Sequence, residues 1–445
     1  MASLALLSLA APAVVAAAAL SLAAPPTQMR NLARTMPASW RAGIDTAGWI
    51  HLNAAGASPS PALVHDAMAR HLDLERTVGG YAAAARVERE PHAAVAALLN
   101  CAADEIALAE SAQAGWARAF YSLAFRPNDR ILTWESEYAG NAVAMLQVAE
   151  RTGAQLEVLP MRADGVADVE ALERALSATP PGASTLVALT HVQTESSVVQ
   201  PAERVGAACR AAGGDTLYML DACQTAGILP LDVEALGCDF LAATGRKWLR
   251  GPRGTGFLYA RRGALAPGGS RLVGEPPMVD HTSVRWTSSR SYEVVPTAAR
   301  YEFWESSISG RAGLAAACDF VREEVGVATA FELACARAAE LREGLAKIPG
   351  LTLRDAPPSF GAAAEAAGAR RCAIVTFDVA PARTAAEVAA ALDAKKIGAS
   401  VSPSFHTFDD AQWARPPVVR LSPSYFTTEE EVESVVAAVA EAVSG

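Results

Sequence analysis

The sequence predicts an α/β fold: a mostly parallel sheet in a large domain, then a smaller α+β C-terminal domain. Three observations predict it. Short runs such as Leu217–Leu220 and Phe240–Ala243 are apolar throughout, as strands buried on both faces of a parallel sheet are. From Ile106 to Ala260 such runs alternate with helix-length segments. After residue 300 the order becomes helix, strand, strand, helix, strand, helix. With 445 residues, 51% of them hydrophobic, the chain can bury a core for both parts. The expected division is residues 1–36 apart, 37–300 as the large domain and 301–445 as the small one.

Charge and cysteines exclude several classes. A net charge of -10 argues against a non-specific nucleic-acid binder, which needs clustered Lys and Arg to neutralise phosphates. Seven scattered cysteines, with no CxxC pair and no zinc spacing, make neither a disulfide scaffold nor a metal site. A small-molecule substrate is the expected partner. Residues 2–29 carry no charged side chain, and the first basic residue is Arg30. A secretory signal normally opens on a basic region, which is missing here, although Ser21-Leu22-Ala23 suits a cleavage site. Two readings stand: a targeting segment, with an organellar or secretory destination, or a true start at Met29 or Met36, with a cytoplasmic one. The length of the segment would also permit a membrane anchor, but no stable membrane span is expected in the mature chain.

Taken in order, Trp49–Asn53 is a short apolar entry. Ser60-Pro61 opens a helix, serine capping and proline in the first turn, with Leu63, Ala67 and Met68 on one face. Gly79-Gly80-Tyr81 breaks it. Ile106–Ala109 is a strand, and Glu110–Gly115 opens a helix through Phe125. A helix start with small residues offers free backbone amides to an anion. Strands follow at Arg130–Thr133, Leu156–Leu159 and Thr185–Thr190, then a helix from Pro201 to Gly213-Gly214. Residues 262–290 are rich in Gly, Pro and Ser and read as an irregular connection. Helices are expected at Gly313–Glu324, Thr329–Lys347 and Ala385–Asp393, and strands at Leu351–Arg354, Arg371–Asp378 and Val418–Leu421. Ala362–Ala367 reads as loop, and Thr427-Thr428-Glu429-Glu430 as a capping box for the last helix.

Chemistry concentrates in Leu220–Gly256. One apolar run ends in Asp221 and the next in Thr244-Gly245-Arg246-Lys247. Ligands of open α/β sheets sit beyond the carboxyl ends of such strands, so an acid and an amine share one edge. Pyridoxal phosphate needs that pair: a lysine to hold it as a Schiff base and an acid to partner the pyridinium nitrogen. Thr244 and Arg246 are placed to supply donors for its phosphate.

These segments, DACQ and GRKWLRGPRGTGFLY at this spacing, resemble the class V aminotransferase family of pyridoxal phosphate enzymes. That family includes cysteine desulfurases, selenocysteine lyases, isopenicillin N epimerase and hercynylcysteine sulfoxide lyases. The resemblance extends, with weaker motifs, from about Ile50 to the C-terminus. It implies fold type I, a homodimer, and Lys247 and Asp221 as the catalytic pair. It implies cofactor contacts from Gln224, from Arg246 in place of the desulfurase histidine, and from Thr194. It assigns Ala112 and Gln113 to the phosphate turn, where the family often has a threonine in place of Gln113. Tyr138 is implied as the ring stacked on the pyridine. Thr287 is implied to reach the partner's cofactor phosphate. Asn53, Gly56 and Tyr81 are implied to face substrate, and Arg420 to grip its α-carboxylate as a bidentate fork. His191 reads as structural, and His406 is left between a substrate contact and a solvated residue.

One absence separates activities. Cysteine desulfurases carry a nucleophilic cysteine in the loop corresponding to Val401–Phe408, and this chain has none there. Cys372 lies in an apolar run and reads as core. The first expectation is therefore a carbon–sulfur lyase on a cysteine-derived amino acid. An epimerase or aminotransferase is the alternative, and persulfide-forming desulfuration ranks lower.

Overall fold

Seven strands form the sheet that carries the site. In the computed structural model, residues 37–444 are described, apart from 42–43, 45–47, 88–89, 380–382, 404–406 and 410–414. The N-terminal segment 1–36 and His406 lie outside the described residues. The strands are β1 (Ile106–Ala109), β2 (Arg130–Trp134), β3 (Gln155–Leu159), β4 (Thr185–Thr190), β5 (Thr216–Asp221), β6 (Phe240–Thr244) and β7 (Gly256–Ala260). Their order is β1-β7-β6-β5-β4-β2-β3. Neighbours from β6 through to β3 run parallel, and β7 is antiparallel to both β1 and β6. The central strands β4 and β6 are buried at every position, which explains their unbroken apolar runs.

Helices cover the sheet. We label α1 (Ala62–Val78), α2 (Ala112–Phe120), α3 (Ala139–Thr152), α4 (Ile308–Asp319), α5 (Val327–Leu345) and α6 (Glu429–Ser444). α1 ends at Gly79, whose φ of 82° is the left-handed region that glycine enters without strain. Its buried side chains are Val64 and His71, whereas Leu63 is exposed, so the buried stripe is turned from the expected one. α2 stops at Phe120, short of Phe125, and Tyr121 N–H closes on Ala117 O. α4 ends at Asp319 and passes into a wider turn, Phe320–Val325.

A second sheet follows: β8 (Thr352–Leu353), β9 (Val375–Asp378), β10 (Ser400–Ser402) and β11 (Val418–Leu421), ordered β8-β9-β11-β10 and antiparallel throughout. Its core takes Cys372, Ile374, Val419 and Leu421 together with Leu52 and Trp248, residues far off in the chain. Trp248 follows Lys247 directly, so the lysine loop is seated in this second core. The last helix is capped one residue later than expected: Thr428 Oγ1 accepts from Glu431 N–H at 3.2 Å, and Glu431 Oε2 accepts from Thr428 N–H at 2.9 Å.

Two stretches differ from the sequence reading. Residues 262–290 are not irregular throughout, because Val284–Ser288 pairs with Ser291–Val294 as a hairpin. The cross-strand pairs Trp286–Tyr292 and Arg285–Glu293 explain it, since ring and charge pairs stabilise a two-stranded turn. Ala362–Ala366 is a short helix, as its alanines favour. Among the described residues, no helix is long and apolar enough to cross a membrane.

Candidate active site

β5 and β6 are parallel neighbours, so Asp221 and Thr244 end at the same edge. Lys247 lies in the loop between β6 and β7. Gly245 N–H donates to Thr255 O at 3.0 Å and Gly251 N–H to Gly245 O at 2.8 Å, which closes the loop tightly. The Trp248 indole N–H donates to Gln224 Oε1 at 3.0 Å, and Gln224 Nε2 donates to Ala55 O at 3.2 Å. Lys247, Asp221, Gln224, Thr244, Arg246 and Tyr138 line one pocket with Ala112, Gln113 and Thr194.

Asp221 is held at both oxygens. Oδ2 accepts from Asn141 Nδ2 at 3.0 Å and Oδ1 from Cys223 N–H at 2.9 Å. Burial lowers the pKa of the Lys247 amine, opposed by the neighbouring Cys223 and Asp221. A larger neutral fraction makes that amine a better proton acceptor. Cys223 lines the same pocket, but burial and the Asp221 charge push its thiol up, so it is a protonated thiol and not a poised nucleophile.

The start of α2 forms the opposite wall. Ser111 Oγ accepts from Ala114 N–H at 3.1 Å, which leaves the Ala112 and Gln113 amides without a partner among the described residues. Gly256 makes this wall possible: a Cβ there would stand 2.8 Å from Ala112 N. Thr244 spends its hydroxyl proton on Thr255 O at 3.2 Å, so towards a ligand it offers only an acceptor. Arg246 Nη1 donates to Gly56 O.

Arg420, on β11, stands beside this pocket. Its Nη1 donates to Thr194 O at 3.1 Å and its Nη2 to Asn53 Oδ1 at 3.2 Å, while its buried Nε has no partner. Burial brings the guanidinium down to about 10, with Glu195 opposing and Arg246 adding to the fall. Gly56 is tied to this corner as well, since a Cβ there would meet Asn53 Oδ1 at 2.4 Å.

The structure thus brings together Asn53, Gly56, Ala112, Gln113, Tyr138, Thr194, Asp221, Gln224, Thr244, Arg246, Lys247 and Arg420. It does not bring Tyr81 or Thr287 there within one chain. Tyr81 is 80% exposed and packs on Trp304, with ring centroids 6.1 Å apart. Thr287 lies on the exposed hairpin and bonds Ser291 Oγ at 2.7 Å. His191 is buried against Thr225 Oγ1 at 3.1 Å, and burial drives its pKa down to about 3, as a structural residue requires. Sequence reasoning missed Asn141 and the buried Glu137. The available signal was their i, i+4 spacing at a helix start.

A family model described as "Aminotransferase class-V" matches residues 50–435. The chain belongs to the class V aminotransferase family. As a class V protein it is a pyridoxal phosphate-dependent enzyme. A probable cysteine desulfurase of Xylella fastidiosa is 31% identical over 354 residues, 78% of this chain and 78% of that one. A cysteine desulfurase of Serratia proteamaculans is 32% identical over 286 residues, 61% of this chain and 66% of that one. A probable cysteine desulfurase of Methanothermobacter thermautotrophicus is 30% identical, the match spanning 61% of this chain and 66% of its own length. Among solved structures, the cysteine desulfurase of Thermococcus onnurineus superposes with a TM-score of 0.77 at 23% identity, over 89% of this chain and 95% of that one. A C-DES variant with glycine covalently linked to its pyridoxal phosphate gives 0.75 at 22%, over 94% and 100%. At such identities the likeness is one of fold. The class V pocket here has the donor set this cofactor needs: an acid, an amine and unpaired helix-start amides.

Proposed function

We propose that this class V enzyme is a carbon–sulfur lyase acting on a cysteine-derived amino acid. The observation that carries the proposal is the absence of a usable thiol beside a complete carbanion site. No cysteine stands in the loop at 400–416, and the half-buried Cys223 has its thiol pushed up by burial and by the Asp221 charge, away from the thiolate that a nucleophile needs. In this reading Lys247 carries the cofactor, Asp221 partners its ring nitrogen, and the Ala112 and Gln113 amides face its phosphate. The bound cofactor supplies an electron sink for the substrate Cα.

The chain's own residues do the rest. Arg420, with Nε unpaired, takes the substrate carboxylate; Asn53 and the Thr194 carbonyl fix its fork. Lys247 takes the Cα proton. The Cβ–S bond then breaks with its electron pair going to sulfur, which gains a proton and leaves. Water converts the remaining enamine to pyruvate and ammonia.

The test is incubation with S-substituted cysteines and their sulfoxides. Pyruvate and ammonia in equal amounts are expected. Alanine with enzyme-bound persulfide, or a keto acid formed only when a second keto acid is present to accept the amino group, would remove the lyase reading. Arg420→Ala in the same assay should raise KM by about 10²–10³-fold, the cost of a charge-assisted bidentate pair, and leave cofactor content intact. We also infer a homodimer. The exposed Tyr81–Trp304 pair and the hairpin bearing Thr287 support it, as neither reaches the site of its own chain. A one-chain mass in sedimentation of the holoenzyme would remove it.

A further inference from the structure

Behind Asp221 lies a second acid that the reaction, as described, does not use. Glu137 is 3% exposed and receives four donors. Oε1 accepts from Tyr138 N–H at 2.7 Å, from Asn141 Nδ2 at 3.0 Å and from the Thr190 hydroxyl. Oε2 accepts from the Thr133 hydroxyl at 3.1 Å. The same Asn141 Nδ2 reaches Asp221 Oδ2 at 3.0 Å. One amide group therefore spans two carboxyl groups, giving one proton to each. Since β2, β4, β5 and α3 each contribute a member, the spacing is fixed by the sheet itself.

We propose that Glu137 is a positioning residue for the cofactor: through Asn141 it aims the Asp221 carboxylate at the ring nitrogen and sets the local negative charge. The inference rests on the cofactor reading of Lys247 and Asp221. Burial, then the Asp221 charge, push the Glu137 carboxyl up to about 7 against the pull of its donors. The acid is thus balanced between forms near neutral pH. The titratable groups facing it are Asp221 and, beyond it, Lys247, Cys223 and the Tyr138 phenol. A charge gained at Glu137 favours protonated nitrogens in the pocket.

Glu137→Gln tests this cleanly. The three donors on Oε1 suit an amide oxygen, and the Thr133 hydroxyl can turn to accept from the amide nitrogen. The variant removes charge and keeps shape. The visible band of the holoenzyme is titrated from pH 5 to 10, alongside cofactor affinity and the melting temperature of cofactor-free protein. Its pH midpoint should fall by roughly half to one pH unit, about a 3–10-fold change in proton affinity, with kcat lowered more than KM. Glu137→Ala, which also frees Asn141, should weaken cofactor binding as well. An unchanged midpoint in both variants, with only the melting temperature lowered, would reduce Glu137 to a structural role. Failure of the cofactor reading looks different: the band would survive Lys247→Ala.

Discussion

Lys247→Ala should abolish the visible absorption band of the bound cofactor and cut turnover by about 10³–10⁴-fold, with the fold preserved. Two losses combine. The covalent attachment goes, and so does the only amine lining the pocket among the described residues. A positioned proton acceptor alone is worth about 10²–10⁴-fold. The fold survives because the loop around Lys247 is held by Gly245, Gly251, Trp248 and Thr255, not by the amine. Lys247→Arg should do no better, because a guanidinium stays protonated and cannot accept the Cα proton. In cofactor-free protein the Lys247 amine should lose its proton below the ordinary lysine range, because burial disfavours the ammonium, and the pH dependence of cofactor attachment reads this. A band of normal intensity in the alanine variant would overturn the assignment.

Arg250→Ala should cost about 3–5 kcal/mol of stability, read as a lower urea midpoint of cofactor-free protein. Arg250 is 0% exposed. Its Nε donates to Pro59 O at 2.8 Å, and its Nη1 donates to Trp40 O at 3.0 Å and to the Tyr425 hydroxyl at 2.8 Å. The guanidinium lies 4.4 Å from the Phe426 ring centre. Removal leaves a cavity and strands the Trp40 and Pro59 carbonyls and the Tyr425 hydroxyl in one step, in three separate regions of the chain. Arg250→Lys should recover little, since one ammonium cannot reach partners arranged around a planar fork. A midpoint within experimental error of the parent would show that these contacts add nothing net.

Arg250 also marks where the sequence stops being legible. In GRKWLRGPRG nothing sets it apart from the other cations, because Trp40 and Tyr425 lie too far away in sequence to be seen. The link from Asn141 to Asp221 is hidden for the same reason, the two being 80 positions apart. β4 to β7 were readable because burial on both faces demands an unbroken apolar run. The Lys247–Asp221 pairing followed from strand ends alone. The hairpin at Val284–Val294 was obscured by the surrounding Gly and Pro. Tyr81 and Thr287 were named for the site, and one chain by itself keeps both on its surface.

The closed loop between β6 and β7 has a stereochemical consequence. With Gly245, Gly251 and Thr255 locking its backbone, Lys247 can move only by its own side-chain torsions. A released amine on so fixed a stem approaches the substrate carbon from one side and returns to that side. Inverting the configuration at that carbon would call for a separate acid facing the other side, whereas expelling a group from Cβ needs none.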